Sequence, residues 1–320
     1  MDIALVAIPR LNIDAPPMGI ASIKGSVVVA GYSAKCFDVN INLYHSVSFD
    51  TWLELDSYFQ TDLRYTGTSL DGAGSREINF INIVQKRKKQ LSCYEEYNSF
   101  LNKQIDQILS HSPEWIGLSV FSVNSVISTV NFLSILKEKA PNQKVVAGGM
   151  GLSSFGLGGN SNFGEFLIKE GLITTYISGE GEQAILNLFK TGQGSKFTPQ
   201  IDNLDELAFP NYDDFDFSLY PGDENMSYIT GSRGCVRACT FCDINSLWKK
   251  FRYRSGNSLA QEMVEGYQKY GTIDFYFTDS LINGNMKEFI KLLDNVIEYK
   301  ENGLLPEDLM FGGQFIARPK

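Results

Sequence analysis

The sequence predicts an α/β protein in which short apolar strands pair in parallel and helices connect them. The first observation is the uninterrupted apolar run at residues 3–8, which is typical of a strand buried on both faces of a parallel sheet. The second is that similar runs recur with helical stretches between them, as in β-α-β units. The third is that glycine or acidic residues close the runs at 144–149, 174–177 and 273–278, where ligands of parallel sheets bind.

Residues 1–190 are predicted to form a first domain, a doubly wound sheet of the flavodoxin-like or Rossmann type. Its predicted strands are residues 3–8, 32–39, 115–121, 144–149 and 174–177. The predicted helices lie between the strands, and Gly31 and Pro141 mark the ends of two of them. Residues 41–110 interrupt the rhythm and are predicted to be an insertion of helices and loops, with a Gly/Ser turn at 72–75. The pattern leaves open whether this insertion packs on the domain or forms a lid.

Residues 191–225 are predicted to be a linker, because they are acidic and aromatic and lack a regular pattern. Phe209, Tyr212 and Phe215 are expected to cover the domain junction. The second domain, residues 226–320, resumes the alternation of strands and helices. Its predicted strands are residues 226–230, 273–278 and 309–316, with helices at about 258–270 and 286–299. This series is the opening of a (β/α) barrel, whose chemistry lies at the carboxyl ends of the strands.

The composition excludes several classes of protein. The net charge of −9 argues against a general nucleic-acid surface, so no nucleic-acid partner is expected. The most hydrophobic stretch, residues 20–30, contains Lys24 and is too short to span a membrane. The N-terminus begins Met-Asp and lacks the basic region of a secretion signal. Five cysteines, three of them clustered, favour a metal site in a reducing compartment over a disulfide framework, and we expect a cytoplasmic protein.

The candidate chemistry is concentrated at Cys235, Cys239 and Cys242, which have the spacing C-x3-C-x2-C. Gly231 and Gly234 precede them, so we expect a loop rather than a regular element. Three thiolates in one loop suit a [4Fe–4S] cluster, which normally takes four thiolate ligands. With three ligands, one iron keeps an open position at which a small molecule can bind and receive an electron.

Two other interpretations of the cysteines remain open. Positions i, i+4 and i+7 share one face of a helix, so the thiols are also compatible with a buried helical stripe. Structural zinc is the second alternative, because thiolates also bind zinc at tetrahedral sites. Zinc requires a fourth ligand, for which Asp243 is the nearest candidate, since Cys36 and Cys93 lie far upstream.

With Phe241 directly before the last cysteine, this segment resembles the radical S-adenosylmethionine (radical SAM) superfamily. The resemblance implies that the three cysteines bind the cluster, that its open iron chelates the amino and carboxylate groups of S-adenosylmethionine, and that Phe241 packs near the adenine. It implies reductive cleavage to methionine and a 5′-deoxyadenosyl radical that abstracts hydrogen from a small-molecule substrate. The electron would come from a donor such as flavodoxin or ferredoxin, and the protein would supply position and exclusion of water.

In this family the residues that end the second barrel strand hold the amino group of S-adenosylmethionine. Thr278 and Asp279 occupy that place here, and an acidic residue suits an ammonium partner. The alternative for Asp279 is a helix cap. Arg254 is predicted either to bind a carboxylate or phosphate of a ligand or to pair with an acid on a neighbouring helix. Barrels of this family contain further β-α units, so we expect an incomplete barrel and poor activity of these 320 residues alone.

The first domain resembles the cobalamin-binding domain that precedes the barrel in B12-dependent radical SAM proteins. The matching segments follow the first, fourth and fifth predicted strands and are Pro16-Pro17-Met18-Gly19-Ile20, Gly148-Gly149 and Gly179-Glu180-Gly181-Glu182. The resemblance implies a bound cobalamin, and the residues it implies at the cofactor are Gly148, Gly149, Gly179 and Glu180. Glycines let a flat macrocycle approach the backbone, and tight turns with a helix cap are the alternative.

Histidine ligation of cobalamin is not predicted, because the chain lacks the D-x-H-x-x-G motif that carries such a ligand. Of the two histidines, His111 precedes its strand and is expected at the opposite edge of the sheet. His45 lies past the second strand and is the remaining candidate to approach the ligand.

The function predicted from both resemblances is cleavage of S-adenosylmethionine coupled to methyl transfer from cobalamin to an unactivated carbon. A radical SAM enzyme that does not use cobalamin is the first alternative. A non-enzymatic iron–sulfur or zinc binding module is the second. No residue of the chain names the substrate.

Overall fold

The computed structural model describes residues 1–60, 80–152, 163–195, 198–222, 225–242, 244 and 248–317. The chain divides into two compact units. The first comprises Met1–Asn12 and Gly19–Gln200, and the second Ile13–Met18 and Ile201–Lys320. The predicted turn at 72–75, most of the glycine-rich stretch that follows Gly149, and Asp243 lie outside the described residues.

The first unit contains a five-stranded parallel sheet. Its strands are β1 Ile3–Ala7, β2 Ala34–Asp38, β3 Trp115–Ser119, β4 Lys144–Gly148 and β5 Thr175–Ile177. They are ordered β2-β1-β3-β4-β5, which is the flavodoxin-like order, so the prediction of a doubly wound sheet is confirmed. All five residues of β1 are buried, as its apolar sequence predicts for a central strand.

Helices cover the sheet of the first unit and include the predicted insertion. They are α1 Met18–Val29, α2 Val39–Ser46, α3 Phe49–Phe59, α4 Phe80–Lys88, α5 Tyr94–Ser110, α6 Val126–Lys139, α7 Phe163–Lys169 and α8 Gly181–Thr191. Phe59, Phe80 and Tyr97 of α3, α4 and α5 are fully buried in the same hydrophobic cluster as the strand residues Ile116 and Val145. The described part of residues 41–110 therefore packs as part of the core, and the packing alternative is the correct one.

The second unit contains a three-stranded parallel sheet and a short antiparallel pair. Its elements are β6 Met226–Ile229, β7 Ser232–Arg233, β8 Arg252–Tyr253, α9 Gly256–Tyr270, β9 Asp274–Phe277, α10 Met286–Glu301 and β10 Met310–Gly312. The parallel strands are ordered β6-β9-β10, which agrees with the predicted β-α-β-α-β series. Ile229, Met263, Phe275, Phe277 and Leu292 form the centre of its core. The prediction missed the β7–β8 pair, because two-residue strands leave no periodic pattern.

Part of the predicted linker packs within the second unit. The Tyr212 ring is buried and lies edge-on to Tyr270 of α9, with 5.7 Å between the ring centroids. The Tyr212 hydroxyl donates to the carbonyl of Tyr228 in β6 over 3.3 Å. An aromatic side chain therefore fixes this irregular segment to the sheet and helix beside it.

Candidate cofactor sites

The three clustered cysteines lie within residues 234–242, in the segment that follows β7 and leads towards β8. Backbone pairing of Ser232 with Tyr253 and of Arg233 with Arg252 closes this loop at its base. A loop that begins and ends at one antiparallel pair keeps its thiols in one region of the second unit.

The cysteines differ in exposure. Cys235 is half-buried near the base, whereas Cys239 and Cys242 are exposed and all three are free thiols. The Arg237 amide lies 3.4 Å from Cys235 Sγ, and the Cys242 amide donates to the Cys239 carbonyl over 3.1 Å. Phe241, predicted to pack beside the cluster, is 91% exposed.

The thiols are the right donors for an iron–sulfur cluster but are not gathered around a centre. Within the described ranges, no three Cys, His, Asp or Glu side chains converge on one point. Residues 231–242, all described, contain no helix, so the alternative of a helical cysteine stripe is wrong. Thiolates are the characteristic ligands of iron–sulfur clusters, and the donor set fits that group.

Asp279 lies directly under the start of the cysteine loop. Its carboxylate is 4% exposed, accepts a 2.8 Å bond from the Gly231 amide through one oxygen, and accepts the Ser232 hydroxyl through the other. Burial raises the pKa of the Asp279 carboxyl to about 6, and the bonds from Ser232 and Gly231 oppose that shift. The buried carboxylate thus faces the backbone at the root of the loop.

The helix-cap alternative for Asp279 is wrong. The following helix α10 is capped by Asn285, whose side chain accepts from the Glu288 amide over 3.3 Å. The predicted neighbour Thr278 points its hydroxyl to Thr230, with 3.0 Å between the two oxygens. The role of Thr278 and Asp279 at the amino group of S-adenosylmethionine stays a prediction.

Arg254 meets an acid on a neighbouring helix, which was the second of its two predicted roles. Its guanidinium forms a buried ion pair with Glu262 of α9 and donates to Ser258 Oγ over 2.9 Å. It also donates to the carbonyl of Thr230, 3.3 Å away. The sequence did not indicate Glu262 as the partner. It lies eight residues after Arg254, in the second turn of α9.

At the carboxyl edge of the first sheet, the predicted glycines differ in whether the local backbone and packing would accept a side chain. Gly149 has φ +111°, and a Cβ there would lie 2.4 Å from the Val120 carbonyl oxygen. Gly179 has φ +106°, and a Cβ there would lie 2.4 Å from Thr198 Oγ1. A Cβ on Gly148 would meet no atom of the described residues within 4 Å. Local structure therefore explains Gly149 and Gly179, whereas Gly148 faces open space among the described residues.

The same edge carries two exposed apolar side chains that the sequence reasoning did not single out. Phe121 follows β3 and is 61% exposed, and Met150 follows β4 and is 48% exposed. An apolar residue directly after a buried strand could have indicated such a position. Phe121 was overlooked because the predicted strand, residues 115–121, included it. Glu180, which precedes α8, is buried.

The histidines lie where the strand assignments place them. His45 is exposed in the last turn of α2. His111 ends α5 before β3, and its Nε2 is 3.4 Å from the Lys35 ammonium near the start of β2. None of the helices in the part of the chain that the structure describes is long and apolar enough to cross a membrane.

No protein-family profile matches the chain. It is 24% identical over 198 residues to the anaerobic magnesium-protoporphyrin IX monomethyl ester cyclase of Synechocystis sp., covering 55% of this chain and 38% of the relative. It is 27% identical over 126 residues to the cytidylyl-2-hydroxyethylphosphonate methyltransferase of Streptomyces wedmorensis, covering 36% of this chain and 23% of the relative.

Among solved structures, the chain resembles the radical S-adenosylmethionine methyltransferase TsrM from Kitasatospora setae, solved with cobalamin and a [4Fe-4S] cluster bound. The TM-score is 0.56 at 14% sequence identity, with 95% of this chain and 55% of TsrM covered. This likeness concerns the fold. The chain thus spans about half the length of this structural neighbour and less than half of the two curated relatives.

Proposed function

We propose that this chain is an iron–sulfur enzyme of the radical SAM class that carries a cobalamin-binding domain, and that it cleaves S-adenosylmethionine reductively. The single observation that carries the proposal is a loop with three free thiols that is closed at its base by β7 and β8. Three thiolates from this loop leave one iron of a [4Fe–4S] cluster without a protein ligand. Cys235, Cys239 and Cys242 are the residues that would hold the cluster.

The first unit supports cobalamin as the second cofactor. Ligands of flavodoxin-like sheets bind outside the carboxyl ends of the strands. At that edge Gly148 faces open space, and Phe121 and Met150 expose apolar surface. The flat face of a corrin macrocycle would approach the backbone at Gly148 without a Cβ clash, and the exposed apolar side chains suit contact with its ring. Gly149, Gly179 and Glu180 shape the same edge through their local conformation.

The finer reaction that we propose is methyl transfer to an unactivated carbon of a small-molecule substrate. When bound, the cluster and cobalamin would supply the electron and the methyl group, and a flavodoxin- or ferredoxin-like protein would reduce the cluster. The chain's own residues would bind and orient these groups. The exposed Phe241 would close over the adenine, which gives its ring a partner that would remove it from water.

Anaerobic reconstitution with iron and sulfide tests the iron–sulfur part of the proposal. We expect about four iron and four sulfide ions per chain. We also expect the electron paramagnetic resonance (EPR) spectrum of the reduced cluster to change when S-adenosylmethionine is added, because the cosubstrate would occupy the open iron. Formation of 5′-deoxyadenosine then measures cleavage. Zinc without sulfide would identify a zinc module, and a cluster indifferent to S-adenosylmethionine would identify a non-catalytic iron–sulfur protein.

Reconstitution with hydroxocobalamin tests the second cofactor separately. A bound corrin absorbs visible light and is expected to co-elute with the protein on size exclusion. Protein that binds the cluster and responds to S-adenosylmethionine but elutes without corrin would be a radical SAM enzyme whose first unit serves another purpose.

A further inference from the structure

The short segment 230–232, between β6 and β7, is held by the chain from two sides. On one side, Asp279 accepts from the Gly231 amide over 2.8 Å and from the Ser232 hydroxyl. On the other side, the Arg254 amide donates to the Gly231 carbonyl over 2.8 Å, and its guanidinium donates to the Thr230 carbonyl over 3.3 Å. Asp279 after β9 and Arg254 after β8 therefore hold this segment through side-chain and backbone hydrogen bonds.

This segment is the root of the cysteine loop. Ser232 begins β7, and Cys235 follows three residues later. The packing around Gly231 is close, because a Cβ there would lie 3.1 Å from Asp279 Oδ1 and 3.1 Å from the Phe277 ring. We therefore expect a change in the Asp279 carboxylate to displace the strand end that leads to Cys235.

The same geometry turns Asp279 away from a ligand role. Both carboxylate oxygens are bonded to the chain itself, and the side chain is 4% exposed. Each oxygen keeps a further lone pair, but because the residue is 4% exposed an external ammonium group would reach the carboxylate only if the backbone around it moved. Groups that hydrogen-bond directly to metal ligands orient them, and their loss typically weakens metal binding about 10- to 100-fold. Asp279 acts on residues three and four positions before Cys235, so the lower end of that range is expected.

We propose that Asp279 is a positioning residue, which holds the root of the cysteine loop through Gly231 and Ser232 instead of binding the amino group of S-adenosylmethionine. This inference rests on the proposed iron–sulfur function. It separates two roles that the position of Asp279 in the sequence does not distinguish.

The first test measures how fast the reconstituted protein loses iron to a chelator in the absence of S-adenosylmethionine. The variants are Asp279→Asn, Asp279→Ala and Ser232→Ala, and the control is Asp274→Asn at the other end of β9. We expect loss about 10-fold faster for Asp279→Ala, a smaller increase for Ser232→Ala, and the wild-type rate for the control. The double variant of Ser232 and Asp279 should lose iron no faster than Asp279→Ala alone, because both act through one contact.

The second test compares S-adenosylmethionine with an analogue that lacks the amino group. If Asp279 positions the loop, Asp279→Asn weakens both ligands by the same factor, and the preference for the amino group is unchanged. If Asp279 binds the ammonium, the same variant holds iron as firmly as wild type and loses most of that preference. That second result overturns the inference.

Failure of the proposed iron–sulfur function and failure of the role of Asp279 give different results. Wild-type protein that takes up no iron–sulfur cluster removes the proposed function itself. Wild-type protein that holds a cluster, with all Asp279 and Ser232 variants losing iron at its rate, removes only the role of Asp279. Should Asp279→Ala not fold, Asp279→Asn and Ser232→Ala still decide, because each removes one defined part of the contact and leaves the side-chain volume nearly unchanged.

Discussion

The two parallel sheets differ in how completely their strands are covered. In the first unit, every residue of β1 is buried, and the strand is central in the sheet. In the second unit, burial alternates along β9, and Tyr276 is 43% exposed, while Met310 on the edge strand β10 is 51% exposed. Parallel sheets are normally covered on both faces. The first sheet meets this rule within its own unit, and the second meets it less fully.

The residues that can bind a cofactor through their own donor atoms lie mainly in the second unit, whose sheet is less completely covered. In the second unit, the candidate ligands lie in one loop and can be identified by residue type. At the carboxyl edge of the first unit, the candidates are three glycines, Glu180 and two apolar side chains, and only Glu180 carries an ionisable group. A well-covered sheet thus offers a site defined by shape, whereas the second unit offers a site defined by donor atoms. Experiments that change donor atoms and experiments that change shape should therefore affect different units.

Substituting the loop cysteines is expected to have the largest effect. Cys235→Ala, Cys239→Ala or Cys242→Ala should each lower bound iron at least about 10-fold and abolish formation of 5′-deoxyadenosine, because a cluster needs all three thiolates. Cys36→Ala and Cys93→Ala are the matched controls. Iron analysis after desalting measures the effect. Equal loss in the controls would show that the donor atoms are not confined to the loop.

The buried ion pair is expected to show the next largest effect. Arg254→Met leaves the Glu262 carboxylate without its partner in the core of the second unit and should cost about 3–5 kcal/mol of unfolding free energy. Replacing both residues, as Arg254→Met with Glu262→Leu, should recover most of that cost. Lys269→Ala is the control, because its pair with Glu265 on the same helix is exposed and contributes about 0.5 kcal/mol or less. Urea unfolding of the four proteins measures these values.

A double variant no more stable than Arg254→Met would contradict this account. It would mean that the guanidinium stabilises the unit chiefly through Ser258 and Thr230, and not by neutralising a buried carboxylate.

Asp279 should make the stability of the iron-free protein depend on pH. Its pKa is raised from 3.8 to about 6 by burial, so the folded state binds more protons than the unfolded state between these values. Its contribution is therefore fully present below about pH 4 and is lost as pH rises through about 6, a change of about 3 kcal/mol. Asp279→Asn cannot titrate, and the difference in stability between it and wild type should follow this curve. A difference that is flat from pH 4 to 7 would contradict the burial of a titrating carboxyl.

The sequence predicts features that depend on residues close together in the chain better than features that depend on contacts between distant elements. Apolar runs predicted every strand of the first sheet, because burial on both faces leaves a local signal. The start of α2 at Val39 was missed, since Asp38 ends β2 and at once caps the helix by accepting from the Asn40 and Ile41 amides. Cysteine spacing predicted the candidate ligands.

Contacts between elements were beyond the sequence. The pairing of Arg254 with Glu262 and the direction of the Asp279 carboxylate depend on how strand ends and helices meet in space. No local pattern records such a contact, so the residues could be named as candidates while their partners could not.

The smallest expected effects come from two neighbouring glycines of the first unit. Gly149 is required for folding, whereas Gly148 would be required only for a bound ligand. Gly149→Ala should cost about 2 kcal/mol of unfolding free energy, because its φ of +111° and the nearby Val120 carbonyl leave no place for a Cβ. Gly148→Ala should change stability by less than about 0.5 kcal/mol, because a Cβ there meets open space. If cobalamin lies on this edge, Gly148→Ala should nevertheless weaken binding of hydroxocobalamin, measured by its visible absorbance during titration. Corrin binding that is unchanged in Gly148→Ala would mean that the open space beside this glycine is not occupied by the cofactor.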